Sequence, residues 1–159
     1  MVLDVHIIFN ESTDREDWLS RCVESLTHPD VNVLVHRFSE NGCVRPRRSA
    51  ILESHDSDNW VTFADPDDHV FTDQFAQYVG FLKTTGYDVV WPKEVMFKDS
   101  QFGSPVTRPH HLVCLRGDHV QPYPETQRYF AAHINQGVLF NKVVYCWMWH
   151  GNNTAGNKR

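Results

Sequence analysis

Three carboxylates, Asp65, Asp67 and Asp68, lie within four positions directly after the apolar run Trp60–Ala64. Like charges this close repel one another, and each raises the pKa of its neighbours. A hard divalent cation takes oxygen ligands, and Mg²⁺ in particular is usually held by one or two carboxylates together with substrate phosphates. The cluster therefore predicts a cation site beside a phosphate-bearing ligand.

The same residues also suit an ordinary turn. Pro66 fits the second position of a β-turn, and one of the Asp residues or Thr72 fits the cap of a following helix. The local sequence does not separate a cation site from a capped turn, so both interpretations stay open at this point.

The elements that position the cluster alternate between strand and helix patterns. In chain order they are a strand at Leu3–Phe9, a helix at 13–26, a strand at Val31–Phe38, a helix at Arg47–His55, a strand at Trp60–Ala64, a helix at 71–82 and a strand at Tyr87–Trp91. Thr13 and Glu16 have the spacing of a capping box at the first helix. This order predicts an α/β fold with a central, mostly parallel sheet flanked by helices. Ligands of such sheets bind beyond the carboxyl ends of the strands, which is where Asp65 falls.

The C-terminal part is less regular. It contains a strand pattern in "HLVCL", a helix pattern from Thr126 to Asn135 and a strand pattern in "VVYCWMW". Residues 98–108 are predicted to form a long loop, which is either a lid over a ligand or a plain excursion. Alternation along the last strand places Tyr145, Trp147 and Trp149 on one side and His150 on the other.

The bulk properties restrict the class of protein. A chain of 159 residues with 41% apolar and 22% charged residues is typical of one folded domain. A net charge of −5 disfavours general binding to nucleic acid or to a membrane surface. The four cysteines have neither zinc-site nor paired spacing, and the sequence contains no signal-peptide pattern and no apolar run that could span a membrane. These features predict a cytoplasmic protein with reduced thiols.

Five segments in order resemble the nucleotide-binding core of family 2 glycosyltransferases of the GT-A fold. The segments are "IIFNES", "WLSRCVESL", "VLVHRFSENG", "RPRRSAILES" and "VTFADPDDHV", covering about Val2 to Leu82. The resemblance implies a single Rossmann-like GT-A nucleotide-binding domain over residues 1–159. Within it, residues 1–97 would be the nucleotide-sugar-binding half, and residues 98–159 the acceptor-side half, with the lid loop at 98–108.

The resemblance also implies roles for individual residues. It places Phe9, Asn10 and Glu11 at the base and ribose, with Glu40 where the family commonly has Asp. Arg48, or its neighbour Arg47, would face the diphosphate. Asp65 would contact the ribose or the metal, Asp67 would be the main ligand of Mn²⁺ or Mg²⁺ in the D-x-D motif, and His150 is a candidate third ligand. Each of these residues also has a plainer interpretation, as a loop acid, a solvated basic turn or an ordinary strand-end histidine.

The chain departs from the family on the acceptor side. The first loop lacks the usual Pro-Thr, and the acidic pair that supplies the general base in inverting relatives is not visible in "YPETQRYFAAHINQ". Glu125 and Asp118 are candidates for that base, although each also suits a helix cap or the surface. His110 and His111, at the start of "HLVCL", either contact an acceptor or bound a loop.

The sequence predicts a metal-dependent glycosyltransferase that moves a sugar from a nucleoside diphosphate sugar, with a UDP-sugar favoured, to a hydroxyl-bearing acceptor. The acceptor class stays open between a glycan, a small molecule and a modified DNA base, the last of which would suit a phage-encoded enzyme in the host cytoplasm. The small acceptor-side half is compatible with a homo-oligomer. Two alternatives remain: a non-catalytic nucleotide-binding module of the same fold, and a metal-dependent nucleotidyltransferase or phosphohydrolase.

Overall fold

The computed structural model describes residues 2–39, 58–116 and 136–150. Within these ranges the elements are β1 (Leu3–Asn10), α1 (Glu16–Ser25), β2 (Val31–Phe38), β3 (Trp60–Ala64), β4 (His69–Val70), α2 (Thr72–Thr84), β5 (Val89–Lys98), β6 (Gln101–Phe102), β7 (Cys114–Arg116) and β8 (Gly137–Met148). The predicted helices at Arg47–His55 and Thr126–Asn135 lie outside the described residues.

The strands form one sheet in the order β2-β1-β3-β7-β5-β8-β4, with β6 paired to β5. The long pairings, β1 with β2, β1 with β3 and β5 with β8, are all parallel. The antiparallel pairings involve the short strands β4, β6 and β7. The predicted mostly parallel α/β sheet is confirmed, and β7 adds one feature the pattern did not show. It inserts antiparallel between β3 and β5, so these two successive strands of the predicted β-α-β series are not direct neighbours.

Strand β1 lies between β2 and β3 and is buried from Leu3 to Phe9, as expected of a parallel strand covered on both faces. Its Val5 and Ile7 belong to one core cluster with Leu19 of α1 and Phe75 of α2. Polar groups inside this core are satisfied: the Trp60 indole N–H donates to the Leu82 carbonyl at 3.0 Å. Both helices are therefore fixed against the strands that carry the acidic turn.

Both helix starts differ from the capping predicted. Helix α1 begins at Glu16 after Arg15, and α2 begins at Thr72 after Phe71; neither has a side-chain hydrogen bond at its cap. The predicted Thr13–Glu16 capping box is thus wrong, and so is the idea that an Asp or Thr72 caps α2. Ahead of α1, Asp14 instead turns back and accepts the Asn10 backbone N–H at 2.7 Å.

Strand β5 runs further than predicted and then turns sharply. The sequence pattern ended this strand at Trp91, yet pairing with β8 continues to Phe97, with register shifts on either side of Lys93 that follow Pro92. A two-residue turn at Asp99 and Ser100, both with positive φ, then leads into β6. The segment 98–108 therefore contains a β-hairpin, and its Val106 returns to bridge Glu94. A lid function for this segment stays a prediction.

Three cysteines in the described part of the chain, Cys22, Cys114 and Cys146, are free and buried. Neither helix in the described part of the chain is long and apolar enough to cross a membrane.

Gly137 allows the close approach of β8 to β5, because the space that a side chain would need is taken by Trp91 and Val89. A Cβ at residue 137 would lie 2.6 Å from the Trp91 ring and 3.0 Å from the Val89 carbonyl oxygen. We expect Gly137→Ala to lower the free energy of unfolding by about 1–3 kcal/mol, the usual cost of overpacking. Gly80→Ala is the matched control, because Gly80 lies inside α2 with nothing within 4 Å of the new Cβ. It should raise stability by up to about 1 kcal/mol. Urea unfolding of both variants checks this, and equal effects would contradict it.

Candidate functional site

The acidic turn lies at the carboxyl end of β3, beside the end of β1. The Asp68 backbone N–H donates to the Asp65 carbonyl at 3.1 Å, which closes a four-residue turn around Pro66. Strand β2 lies on one side of β1 and β3 lies on the other. The connections that leave β1 and β2 therefore run in opposite directions across the sheet, and the direction changes between β1 and β3. Such a switch point is the usual ligand site of an open α/β sheet. Turn and candidate site are thus one feature, and the two interpretations of the sequence do not exclude each other.

Asp68 is the member of the cluster that anchors the turn. It is fully buried; its Oδ2 accepts the Tyr145 hydroxyl at 2.7 Å and its Oδ1 accepts the Met148 backbone N–H at 2.8 Å. The Tyr145 oxygen in turn accepts the Asp65 backbone N–H at 3.1 Å. Burial, together with the nearby Asp65 and Asp67 charges, raises the pKa of Asp68 well above its ordinary value. Both oxygens of Asp68 are therefore engaged by β8. A cation held by all three carboxylates stays a prediction, since Asp65, Asp68 and His111 also offer ligand atoms within 4.8 Å of one another.

Asp67 and His150 meet at the mouth of the site. His150 Nε2 lies 2.6 Å from Asp67 Oδ2, although the two residues are far apart in the sequence. The His150 ring stacks on Trp18 of α1, with ring centroids 4.4 Å apart. Burial raises the pKa of Asp67, the hydrogen bond with His150 lowers it, and the nearby Asp65 charge raises it further. The structure thus brings together the two side chains that the resemblance named as metal ligands.

Asp65 contacts a histidine that sequence reasoning had not assigned to it. His111 Nε2 lies 3.3 Å from Asp65 Oδ2, and on the other side of the same ring His111 Nδ1 lies 2.8 Å from Glu94 Oε2. Desolvation alone would lower the pKa of His111, but the hydrogen bonds with Asp65 and Glu94 outweigh it and raise the pKa to about 10. An imidazolium therefore joins the first carboxylate of the turn to a second, buried carboxylate.

Glu94 is the functional candidate that the sequence analysis missed. It lies in β5 with 3% of its surface exposed, and its oxygens accept bonds from the rings of His110 and His111 and from the His111 backbone N–H. Burial alone would raise the pKa of Glu94, but the two histidine side chains outweigh it and lower the pKa to about 2. The available signal was an acid inside the apolar run "VVWPKEVMF", because a buried charge requires partners.

An aromatic row on β8 borders this histidine cluster. His111 stacks on Tyr145 with ring centroids 4.6 Å apart, and the Trp147 ring centroid lies 6.0 Å from those of both His110 and His111. Trp147 also meets Trp149 edge to face. These contacts agree with the side of β8 that alternation predicted for the three aromatic residues.

The residues predicted at the base and ribose occupy different environments. Phe9 is only 1% exposed and belongs to the core, with the Arg37 guanidinium 4.9 Å above its ring. The role of Phe9 at the base stays a prediction, and in this arrangement its ring is covered by the core and by Arg37. The Asn10 side chain accepts the Ser12 N–H at 3.0 Å, and Glu11 is exposed. Roles for Asn10 and Glu11 in nucleotide binding stay predictions.

Four predicted residues lie outside the described part of the chain: Glu40, Arg48, Asp118 and Glu125. Their proposed roles at the ribose, at the diphosphate and as the general base therefore stay predictions.

The mostly parallel sheet, the acidic turn at its switch point and the long parallel β5–β8 pair define a GT-A fold. Structures of S. aureus TarS, a GT-A family 2-like glycosyltransferase, match this chain. TarS 1–349 in complex with UDP-GlcNAc matches with a TM-score of 0.73 and 14% identity, over 98% of this chain and 61% of that one. TarS 1–349 in complex with UDP matches with a TM-score of 0.70 and 15% identity, over 94% of this chain and 61% of that one. The longer TarS structure matches with a TM-score of 0.69 and 16% identity, over 94% of this chain and 37% of that one.

At these identities the likeness shows the fold alone. The chain spans about three fifths of the TarS 1–349 structures. No protein-family model matches the sequence, and neither does any curated protein.

Proposed function

We propose that this protein is a metal-dependent glycosyltransferase that transfers a sugar from a nucleoside diphosphate sugar, with a UDP-sugar favoured, to a hydroxyl-bearing acceptor. One observation carries the proposal: Asp65 and Asp67 project from the switch point of a GT-A fold, and Asp67 there meets His150. The complexes of TarS with UDP and UDP-GlcNAc support the choice of donor.

The side chains present fit a divalent cation. Asp67 and His150 are hydrogen-bonded to each other at 2.6 Å, and both would turn toward an ion held between them. Asp65 is partly exposed and belongs, with Asp68 and His111, to a group whose ligand atoms lie within 4.8 Å of one another. Carboxylate oxygen with imidazole nitrogen is a donor set that suits Mn²⁺, and carboxylates with substrate phosphates suit Mg²⁺. When bound, the ion would neutralise the diphosphate and stabilise the charge that develops on it as it leaves.

The surrounding residues would keep these ligands in place. Asp68 and Tyr145 hold the turn, so that the direction of Asp65 and Asp67 does not depend on the ligand. Trp18 supports the His150 ring from α1, and His111 orients the Asp65 carboxylate from the opposite side. A preorganised site of this kind avoids reorganisation when charge moves onto the leaving group.

Two other functions would use the same fold. A nucleotide-binding module would hold UDP without turnover, and a phosphohydrolase would cleave the diphosphate bond of the nucleotide sugar. The acceptor stays open between a glycan, a small molecule and a modified DNA base, since each presents a hydroxyl. Product analysis after incubation with UDP-GlcNAc separates the classes: a transferase releases UDP, a binding module releases nothing, and a phosphohydrolase releases UMP and GlcNAc 1-phosphate.

Calorimetric titration of UDP in the presence and absence of Mn²⁺ tests the metal site directly. We expect micromolar binding that requires Mn²⁺ and becomes about 100-fold weaker in Asp67→Asn, which keeps the side-chain volume but removes the charge. The matched control is Asp73→Asn, because Asp73 is exposed in the first turn of α2, six residues further along the chain. This control should bind UDP like the wild type.

Equal UDP binding by the wild type and Asp67→Asn would contradict the role of Asp67, and no binding of any nucleoside diphosphate would overturn the proposed function. Thermal unfolding of the variants, run alongside, shows that the comparison is made between folded proteins.

A further inference from the structure

The cluster of Glu94, His110 and His111 lies next to the acidic turn but is not needed to hold a cation at Asp67. Glu94 is a carboxylate inside a sheet with 3% of its surface exposed, and removing such a charge from water costs free energy. A buried charge held by hydrogen bonds often stabilises a fold less than an apolar side chain of the same size would. Glu94 therefore stands out as a group retained for something other than packing.

Glu94 fixes the orientation and the tautomer of His110. The His110 Nδ1 is hydrogen-bonded to Glu94 Oε1, and since a carboxylate only accepts, the proton lies on Nδ1. The lone pair of the neutral ring is then on Nε2, which has no hydrogen bond to any residue in 2–39, 58–116 or 136–150. This is the arrangement of a general base and its orienting carboxylate.

His111 holds this pair close to the donor side of the site. Its ring is bonded to Glu94 through Nδ1 and to Asp65 through Nε2, so a single imidazole separates Glu94 from the first carboxylate of the acidic turn. His111 is the more enclosed of the two histidines, with 15% of its side chain exposed against 27% for His110. His110 is thus the member of the cluster that a ligand can reach, while His111 connects it to the turn.

Trp147 adds an apolar wall next to His110. The two rings meet edge to face with centroids 6.0 Å apart, and Trp147 also meets Trp149, just beyond the end of β8, edge to face. Among the residues that the structure describes, the groups that face His110 are Glu94 from β5, the neighbouring His111 and Trp147 from β8, with Asp65 beyond His111. A hydroxyl brought to this place would meet one basic nitrogen beside an aromatic surface.

We propose that His110 is the general base of the transfer reaction and that Glu94 is the residue that positions it. This inference rests on the proposed function and adds His110 to Glu125 and Asp118, whose roles as the base stay predictions. In the step, His110 Nε2 takes the proton of the acceptor hydroxyl while the hydroxyl oxygen forms a bond to the anomeric carbon. The bond from that carbon to the diphosphate oxygen breaks, and its electron pair leaves with UDP. Attack opposite to the leaving group inverts the anomeric centre, and His110 later returns its proton to solvent.

Water can take the place of the acceptor, so the test does not require the acceptor to be known. Wild-type protein with Mn²⁺ and UDP-GlcNAc is followed for UDP release, and the donor dissociation constant is measured separately by calorimetry. We expect His110→Gln and His110→Ala to bind UDP-GlcNAc within about twofold of the wild type and to release UDP about 100-fold more slowly, the usual contribution of a general base. Added imidazole should restore turnover in His110→Ala, where it can occupy the space left by the ring, and not in His110→Gln.

Two further variants separate positioning and structural effects from loss of the base. Glu94→Gln should slow UDP release while the donor dissociation constant stays unchanged, because the amide no longer fixes the His110 ring and its Nδ1 proton as the carboxylate does. His28→Gln is the matched control, since His28 precedes β2 and lies at the opposite edge of the sheet. It should change neither binding nor turnover.

The outcomes distinguish this inference from the proposed function. Donor binding with unchanged turnover in the His110 variants would overturn the assignment of the base, as would donor binding by a wild type that releases no UDP. Loss of turnover without rescue by imidazole would give His110 a structural role and also overturn it. If the wild type binds no nucleoside diphosphate, the proposed function fails and this inference fails with it.

Discussion

Asp68→Ala should lower the free energy of unfolding by about 4 kcal/mol. The substitution leaves the buried Tyr145 hydroxyl and the Met148 backbone N–H without their acceptor, and each stranded donor costs about 1–3 kcal/mol. It also disconnects the acidic turn from β8. Urea unfolding measures the effect, and Asp73→Ala, at an exposed position of α2, should stay within about 0.5 kcal/mol of the wild type.

Tyr145 provides a second measurement of the same anchor. Tyr145→Phe removes the hydroxyl that bonds both Asp68 and the Asp65 backbone N–H, so it should also be destabilising. In the double variant the two losses overlap, and we expect its total to fall short of the sum of the single effects by at least about 1 kcal/mol. Strict additivity would show that the two side chains do not act as a unit.

The second large effect is a pH dependence of stability that originates at His6. This side chain lies inside β1 with 2% exposure, 2.8 Å from a ring nitrogen of His36. Burial, and after it the His36 charge, lower the pKa of His6 to about 4 from an ordinary value of 6.5. In the folded state His6 therefore stays neutral down to about pH 4, while in the unfolded chain it gains a proton near pH 6.5.

The unfolded state thus binds more protons between these two values, and stability falls as the pH is lowered through this range. We expect His6 to account for a loss of about 3 kcal/mol between pH 7.5 and pH 4, at 1.36 kcal/mol for each unit of pKa. The loss is complete below pH 4, where both states carry the proton. Urea unfolding of the wild type and His6→Gln across this range isolates the effect, because every other titrating group is shared. The same pH dependence in both proteins would contradict it.

The part of the candidate site that the sequence predicted is the part encoded in short, contiguous patterns. An apolar run that ends in Asp65, Pro66 and Asp67 predicts a strand with carboxylates at its mouth, because proline extends the residue before it. Alternation along β8 predicted the shared side of Tyr145 and Trp147, and the resemblance to a family named His150 as a candidate ligand. The strand predictions need only the local geometry of the chain, which follows from the two-residue period of a strand and the 3.6-residue period of a helix.

Predictions from short sequence patterns were wrong where interactions with more distant residues outweighed the local preference. The capping-box spacing of Thr13 and Glu16 did not form a cap, because Asp14 folds back onto Asn10 and the helix begins later. The strand predicted to stop at Trp91 continues through Pro92, because its pairing with β8 resumes after a register shift. In both places longer-range pairing decided what the short pattern could not.

The sequence by itself determined the alternation of strands and helices, the position of the acidic turn after a buried strand and the placement of a histidine at the end of the last strand. Only the tertiary structure decided the different environments of the neighbouring carboxylates. Asp67 and Asp68 are adjacent and chemically identical, yet one meets His150 and the other is buried under Tyr145. Likewise, only the insertion of β7 between β3 and β5 brings His111 between Asp65 and Glu94. The physical reason is that strand order and register are set by the burial of the whole sheet, which no window of sequence contains.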